Sequence, residues 1–448
     1  MDLICENPKT LYRRYLLPSM ASALVTSIYA FVDTIAVGQY AGGTGAAAVA
    51  VTLPLFGIFS FLSILCSVGG CVCMAKAEGE REPVQRNRYF TASFALLMLC
   101  TLVVWGLLLA LDEPILRLFG TDAALMPTAK AYAKWIIWFA PAFFLPTALS
   151  AYLRNDGAPR LAMAAVIVGG GVNIFGDWFF VFPMDMGVSG AGLATMAGSV
   201  IQTLIMGSHF LTRRSSLRLV RLKGARPLYQ RVLSVGLGAS VIEFATIFIT
   251  ILMNNQIMRY GTAADLAVYG VIATIAALFQ SAFRGIGQAA QPILSANYGA
   301  HRHRRIIAVW NMALRTGLIL GVCFAALGWL FPTEIMRIFI AVDDAILAAA
   351  PHIVRLYFPL FVFQSINILA IYYLQSILAS YQALTVALLR SALLSGVLLL
   401  LLPLVMQMDG VWSAQLIAEA LTAALSLGLV YRGRRALDLS ARRESAAQ

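Results

Sequence analysis

Three acids stand inside stretches that are otherwise apolar: Asp33, Asp177 and Glu243. A charge near the centre of a bilayer costs roughly 2.5–3.5 kcal/mol on insertion scales, so an acid in such a stretch is by default a functional site, often part of an ion or proton path. Asp33 closes a row, Ser19, Ser22, Thr26, Tyr29 and Asp33, whose steps of three and four put it on one helical face. Asn173 and Asp177 stand four apart, and Gly192, Thr195, Ser199 and Gln202 repeat the rhythm. Counting 1.5 Å per residue from the ends of their stretches gives Asp33, Asp177 and Thr195 a common depth, roughly 6–9 Å below the outer surface. Two carboxylates held close in a low-dielectric cavity keep at least one proton near neutral pH. With the oxygens of Asn173 and Thr195, the same side chains also suit a small hard cation such as sodium. Proton and sodium coupling both stay open, and a network that only fixes helix packing would draw on the same residue types.

The second half of the chain carries a comparable stripe of Ser240, Glu243, Thr246, Thr250 and Asn254, followed by Gln280, Arg284, Gln288 and Gln291. Candidates to line a substrate cleft are Thr26, Tyr29, Ser150, Gln202, Glu243, Asn254, Gln280 and Arg284. Pro18 is a candidate hinge. Pro141 and Pro146 break a later stretch, and Pro359 takes the place of Pro141 in the second half.

The elements that must position these groups are membrane helices. The 448 residues are 60% hydrophobic and only 12% charged, with a mean hydropathy of +0.80; a soluble domain carries about 25% charged residues. Apolar stretches of about 20 residues recur, near 15–37, 50–75, 89–111, 131–153, 161–182, 189–211, 233–254, 264–287, 306–330, 354–378, 384–406 and 411–431. They lack the strict alternation of a membrane barrel, and the first runs on as a full span rather than ending at a signal-peptide cleavage site. The net charge of +12 belongs to orientation, not to nucleic acid: basic clusters flank alternate ends of the spans, while Gln39 to Thr44 and Phe182 to Gly187 carry no Lys or Arg. The positive-inside rule then puts both termini in the cytoplasm, in a multi-pass protein of the inner membrane. The six cysteines suggest no disulfide framework, and Cys71-Val72-Cys73 lacks further ligands for a metal.

A basic segment, 212–231, divides the spans into halves, giving an N-terminal six-helix bundle over 1–211, a C-terminal one over 232–432 and a basic tail over 433–448. The halves echo each other. Leu11-Tyr12-Arg13-Arg14 returns as Leu228-Tyr229-Gln230-Arg231, Leu116-Arg117-Leu118-Phe119 as Met336-Arg337-Ile338-Phe339, and Gly187-Val188-Ser189-Gly190 as Gly410-Val411-Trp412-Ser413. Six spans per half make the repeats parallel, an architecture that binds substrate between its halves and rocks one against the other.

Across nearly its whole length the chain resembles the multidrug and toxic compound extrusion (MATE) family. The likeness rests on Pro18 with Asp33 in Tyr29-Ala30-Phe31-Val32-Asp33, on Leu153-Arg154-Asn155-Asp156-Gly157, on the run Gly187 to Thr195, and on Gly287-Gln288-Ala289-Ala290-Gln291-Pro292. It implies an all-α fold of twelve transmembrane helices in two six-helix bundles with a V-shaped cleft. It further implies antiport, in which small organic, cationic amphipathic compounds leave while protons or sodium enter. By the same likeness Asp33, Asn173, Asp177 and Thr195 correspond to the cation site of the prokaryotic DinF-like branch, and Pro18 to its first-helix bend. An Asn often found in the fourth span has no counterpart, since Pro146, Thr147 and Ser150 stand there. Of the acids of the NorM-like branch, Glu243 matches one loosely, and the tenth span offers Gln364, Asn367 and Gln375 but no acid. The resemblance calls for no cofactor beyond the coupling ion, no enzymatic step, and no partner beyond lipid and the exported compound. A flippase for lipid-linked sugars shares the architecture but needs cationic groups in its cavity, of which Arg284 is the main one seen. An intramembrane aspartyl protease built on Asp33 and Asp177 lacks its Gly-x-Gly-Asp signature.

Overall fold

Proline punctuates the helices. Pro83, Pro127, Pro141 and Pro159 each sit in a first turn, where the missing N–H costs nothing. In the computed structural model the first half consists of α1 (Pro8–Gly79), α2 (Pro83–Ala110), α3 (Asp112–Leu118), α4 (Met126–Trp138), α5 (Pro141–Asn155), α6 (Pro159–Val181) and α7 (Gly187–Leu211). The second half follows with α8 (Arg226–Tyr260), α9 (Ala263–Gly299), α10 (His303–Leu330), α11 (Pro332–Phe339), α12 (Asp344–Tyr357), α13 (Leu360–Ser376), α14 (Ser380–Leu388), a π-helical turn at Leu389–Leu393, α15 (Leu394–Leu401) and α16 (Pro403–Ala447). The structure describes the backbone of residues 3–119, 121, 123–211, 215–222, 224–261, 263–339 and 344–447. Within these, side chains are described except at 30–31, 34, 38, 42–44, 46–47, 50, 242–247, 263–264, 266–267, 336–339, 344–349 and 436–447.

Helical backbone runs through 39–44, a stretch expected as an outer loop, yet the chain doubles back there. A Cβ on Gly45 would lie 2.8 Å from the carbonyl oxygen of Val37, whereas eight residues of straight helix span about 12 Å. α1 is therefore a hairpin of two spans. A second reversal sits at the start of α16, where Gln407 has φ 50° and Gly410 abuts Leu402 and Pro403. Gly410 is the repeat partner of Gly187, which has φ +53° at the matching corner of the first half. The fourth span is broken: α4 and α5 meet at 52° ahead of Pro141. In the second half the helix is interrupted between α12 and α13, with Pro359 at the interruption, but Ala350–Ser376 still runs as one span. Among the described residues nine helices, or ten with the bent α4–α5 pair, are long and apolar enough to cross a membrane. The first arm of α1 and α8 complete an arrangement of twelve membrane helices with no strand among the described residues.

Two compact units emerge, Leu17–Gly236 and Asp2–Leu16 together with Leu237–Gln448. This differs from the boundaries read from the sequence at both echoed arms. The first arm joins the second unit because Asn297 Nδ2 donates to Leu3 O at 3.1 Å, Arg302 Nη1 to Ile4 O at 3.1 Å, and Tyr12 Oη to Thr316 Oγ1 at 3.3 Å. The start of α8 joins the first unit because Gly69 and Gly236 let the backbones of α1 and α8 meet, Gly69 against Val232 and Gly236 against Leu65. The first unit is filled by Phe59, Tyr132, Phe144 and Tyr152, while Leu99, Leu102 and Leu107 of α2 stay exposed, as a lipid-facing helix requires.

Described linker residues are fastened to the first unit. Ser216 N–H and Oγ–H donate to Asp156, Arg218 N–H to Asn87 Oδ1 at 3.0 Å, and Val220 N–H to Thr91 Oγ1 at 3.0 Å. Arg86 Nη2 lies 3.0 Å and His209 Nε2 2.7 Å from the same Asp156 carboxylate, whose side chain is 1% exposed. Burial pushes Asp156 up, but Ser216, His209, Ser215 and the Arg86 charge outweigh it and hold the carboxyl below its ordinary value. A depressed carboxyl contributes stability that is present above the unfolded value, about pH 3.9, and is lost as pH falls through the folded one. The amides of Ser216 and Leu217 should thus stay protected from hydrogen exchange through neutral and mildly acid pH and lose that protection only below about pH 4. Asp156→Asn should lose much of it at neutral pH.

Candidate cation site in the first unit

The site is assembled by close helix approach. On α6 and α7, Gly169 and Gly198 face each other's helix backbones, and Gly176 leaves Ala194 only 2.8 Å from where a Cβ would stand. Small residues give membrane helices this proximity. Gly192 does the same for α4, its missing Cβ pointing at the Tyr132 carbonyl. Tyr132 is thereby set against Asp33.

Its hydroxyl donates to Asp33 Oδ2 at 2.5 Å. Thr195 Oγ1 lies 3.2 Å from Asp33 Oδ1 and 3.0 Å from Ala191 O, sharing its one proton between them. Asn173 Nδ2 donates to Thr195 Oγ1 at 3.2 Å. Asp177 stands beside Asp33, is 0% exposed, and neither of its oxygens meets a protein donor. Asn173 Oδ1 is likewise buried without a donor. The cluster therefore holds three orphaned oxygens next to a second carboxylate, in a place where an uncompensated charge is costly. No group of three or more His, Cys, Asp or Glu suited to a metal occurs among the described residues. The pair instead draws neutral oxygens from Asn173, Thr195 and Tyr132. A proton between the carboxyls, or a small cation among these oxygens, would satisfy the set.

Asp33, Asn173, Asp177 and Thr195, expected from the sequence to form one site, are thus neighbours. Tyr132 was missed; its signal was a hydroxyl on the buried face of an otherwise apolar span. Gly192→Ala should drive α4 off α7 and draw Tyr132 away from Asp33, at a cost of about 1–3 kcal/mol. Gly207→Ala, which meets nothing within 4 Å, is the neutral control. Thermal unfolding of the two variants in detergent checks this.

The cleft candidates scatter more widely. Tyr29 lies against Gly170, its ring 3.1 Å from where a Cβ would be. Gln202 is buried over Gly169, Thr26 donates back to Ser22 O at 2.9 Å, and Ser150 accepts from Arg154 at 2.6 Å. Asn254, Gln280 and Arg284 are half-buried in the second unit. The Glu243 side chain lies outside the described residues. Pro18 is buried within continuous helix, with Ser22 Oγ donating to its carbonyl at 2.9 Å.

The second unit has a polar centre that the reading of three intramembrane acids overlooked. Glu419, also inside a predicted span, receives Arg390 Nη2 at 2.6 Å and Asn367 Nδ2 at 2.6 Å. Ser426 Oγ donates to Asn367 Oδ1 at 2.8 Å, and Arg390, Glu419 and Asn367 are all buried. Arg390 sits in the π-helical turn, a local widening often found at functional positions. Arg284 was singled out from the sequence and Arg390 was not.

The comparisons with known proteins agree with this architecture. The MatE family model matches residues 18–179 and 224–402, once in each half. The multidrug export protein MepA of Staphylococcus aureus strain NCTC 8325 is 25% identical over 431 residues, covering 95% of this chain and 94% of its own. MepA of Staphylococcus saprophyticus is 25% identical over 422 residues, covering 92% and 91%. Among solved structures, the outward-facing conformation of a multidrug resistance MATE family transporter of the MOP superfamily superposes with a TM-score of 0.91 at 20% identity, covering 97% of this chain and 98% of that one. A MATE crystal structure in complex with MaL6 superposes with a TM-score of 0.92 at 20% identity, covering 98% of each chain. With its family model matched in both halves and its twelve-helix membrane fold, the chain belongs to the MatE family of transporters.

Proposed function

We propose that the chain is a cation-coupled antiporter that exports small organic compounds, of cationic amphipathic character, across the cytoplasmic membrane by alternating access, with both termini in the cytoplasm. The MepA relatives, named as multidrug exporters, support the export of such compounds. The observation that carries the coupling is the buried Asp177 carboxylate without a donor, beside Asp33 and the orphaned Asn173 oxygen. A proton or sodium ion entering from outside neutralises this set. Asp33, Thr195, Asn173 and Tyr132 come from four different spans, so neutralisation changes which packing of those spans is cheapest. Coupling then requires that the ion and the exported compound favour opposite members of one pair of conformations.

Ethidium export from proteoliposomes under separately imposed proton and sodium gradients tests this reading. Export driven by one gradient alone names the ion. Export unaffected by either gradient would refute coupling.

A further inference from the structure

We propose that Gln291, Ser295 and Gln375 form the inner mouth of the exported compound's path along the second unit, closed in this conformation and open to the cytoplasm in the alternative one. The inference rests on the reading of the chain as an exporter. On α9, Gln280, Arg284, Gln288, Gln291 and Ser295 follow one another at steps of four, four, three and four, so they share one helical face for about 22 Å. The first three are half-buried and the last two buried. This polar face is therefore partly open along its length and closed where α9 ends. The cationic run His301-Arg302-His303-Arg304-Arg305 follows that end, which the positive-inside rule assigns to the cytoplasm.

The third residue comes from α13. Tyr372 fills the space beside Gly287, and Ser376 Oγ lies 3.5 Å from the Gln291 carbonyl oxygen, so α9 and α13 run side by side in the same direction. With Gly287 against Tyr372 and Gln291 against Ser376, helical rotation turns Ser295 and Gln375 to the same side of that seam. Gln375 is buried there as well.

Gln291 Nε2, Ser295 Oγ and both polar side-chain atoms of Gln375 are buried without a hydrogen-bond partner in the protein. The fold does not demand this. α1 ends at Gly79 as α9 ends at Gly299, and Tyr152-Leu153 on α5 is echoed by Tyr373-Leu374 on α13, which puts Cys71, Ala75 and Arg154 at the matching places of the first unit. There Arg154 donates to Ser150 Oγ at 2.6 Å. Buried polar groups left unmatched penalise the closed conformation. Opening to the cytoplasm relieves them, because water or the compound then supplies donors and acceptors. The amide oxygen of Gln375 and the hydroxyl of Ser295 suit the N–H groups of an organic cation. With no carboxylate among the three residues, they hold such a cation loosely enough to pass it on.

Two measurements test this. Gln375→Leu removes both orphaned atoms in nearly the same volume, so it should raise the unfolding temperature in detergent and slow ethidium export about fivefold by favouring the closed conformation. A lower unfolding temperature would overturn the inference, because the amide would then be satisfied where it stands. Ser295→Cys and Ile293→Cys, both at buried positions of α9, are treated with a membrane-impermeant methanethiosulfonate in inside-out membrane vesicles with no imposed gradient, and the modified peptides are quantified by mass spectrometry. Position 295 should react about tenfold faster than position 293, and ethidium should slow it. Equal reaction at the two positions overturns the inference, as does no reaction at 295 in a variant that exports ethidium, or reaction at 295 that ethidium does not slow. Labelling is read without a gradient, so loss of ion coupling leaves it unchanged and failure of the antiport reading shows separately, in the gradient experiment.

Discussion

Asp177→Asn should abolish gradient-driven export in proteoliposomes, by tenfold or more, while the purified protein unfolds at the wild-type temperature or above it. The two readouts move apart for one physical reason. As a carboxylate, Asp177 is fully buried with no donor on either oxygen, a cost of several kcal/mol that only a proton or cation can relieve. An amide in the same volume removes the charge and brings an NH₂ group, which can donate to Asp33. It imitates the neutralised site permanently, so the protein is held in the packing that the ion would otherwise select and cycling stops. Asp33→Asn should also stop coupled export, but with a lower unfolding temperature. Its carboxylate accepts from Tyr132 and Thr195, and the amide offers only one oxygen to those two donors. A variant Asp177→Asn that still exports against a gradient would remove Asp177 from the coupling path. Equal destabilisation by both variants would instead make the cluster a packing network.

What could be read from the sequence follows from the range of the forces involved. Hydrophobic runs and basic flanks are local, so the spans were legible, and the polar stripe ending at Asp33 was legible because helical periodicity puts its members on one face. The meeting of Asp33, Asp177 and Thr195 could be argued from depth alone, since a membrane fixes one coordinate of every residue in a span. Tyr132 escaped that argument because its role depends on a close approach permitted by Gly192 on another helix, and no spacing within α4 announces it. The exchange of arms between the units escaped for a similar reason. The echo of Leu11-Tyr12 by Leu228-Tyr229 marked a repeat, but the contacts that seat each arm lie some three hundred residues away in one case, with Asn297 and Thr316, and on Leu65 in the other. Glu419 was legible by the same rule and was overlooked: Gln415, Glu419, Thr422 and Ser426 recur at steps of four and three on one face, although the partner Arg390 lies on a different helix.

Arg390 and Glu419 lead to the second large effect. Arg390→Met should destabilise the protein by about 3–5 kcal/mol, because it leaves a buried carboxylate whose remaining donors are neutral amides. Asn367 Nδ2 at 2.6 Å and Gln364 Nε2 at 3.4 Å cannot replace a guanidinium. Glu419→Gln should cost a similar amount by stranding Arg390 in a π-helical turn with no other carboxylate among its described contacts. The double replacement Arg390→Met with Glu419→Leu should recover most of the loss, since no charge is then buried and Asn367 keeps its bond to the Glu419 backbone oxygen at 2.9 Å. Unfolding temperatures of the three variants in detergent separate these cases. If the double variant regains stability and exports normally, the pair serves to fix the register of α13, α16 and the π-helical turn. If it regains stability but no longer exports, the pair belongs to the transport cycle. In that case the two units carry polar centres of opposite kind: an acidic pair in the first that must be neutralised from outside, and an ion pair in the second that already neutralises itself.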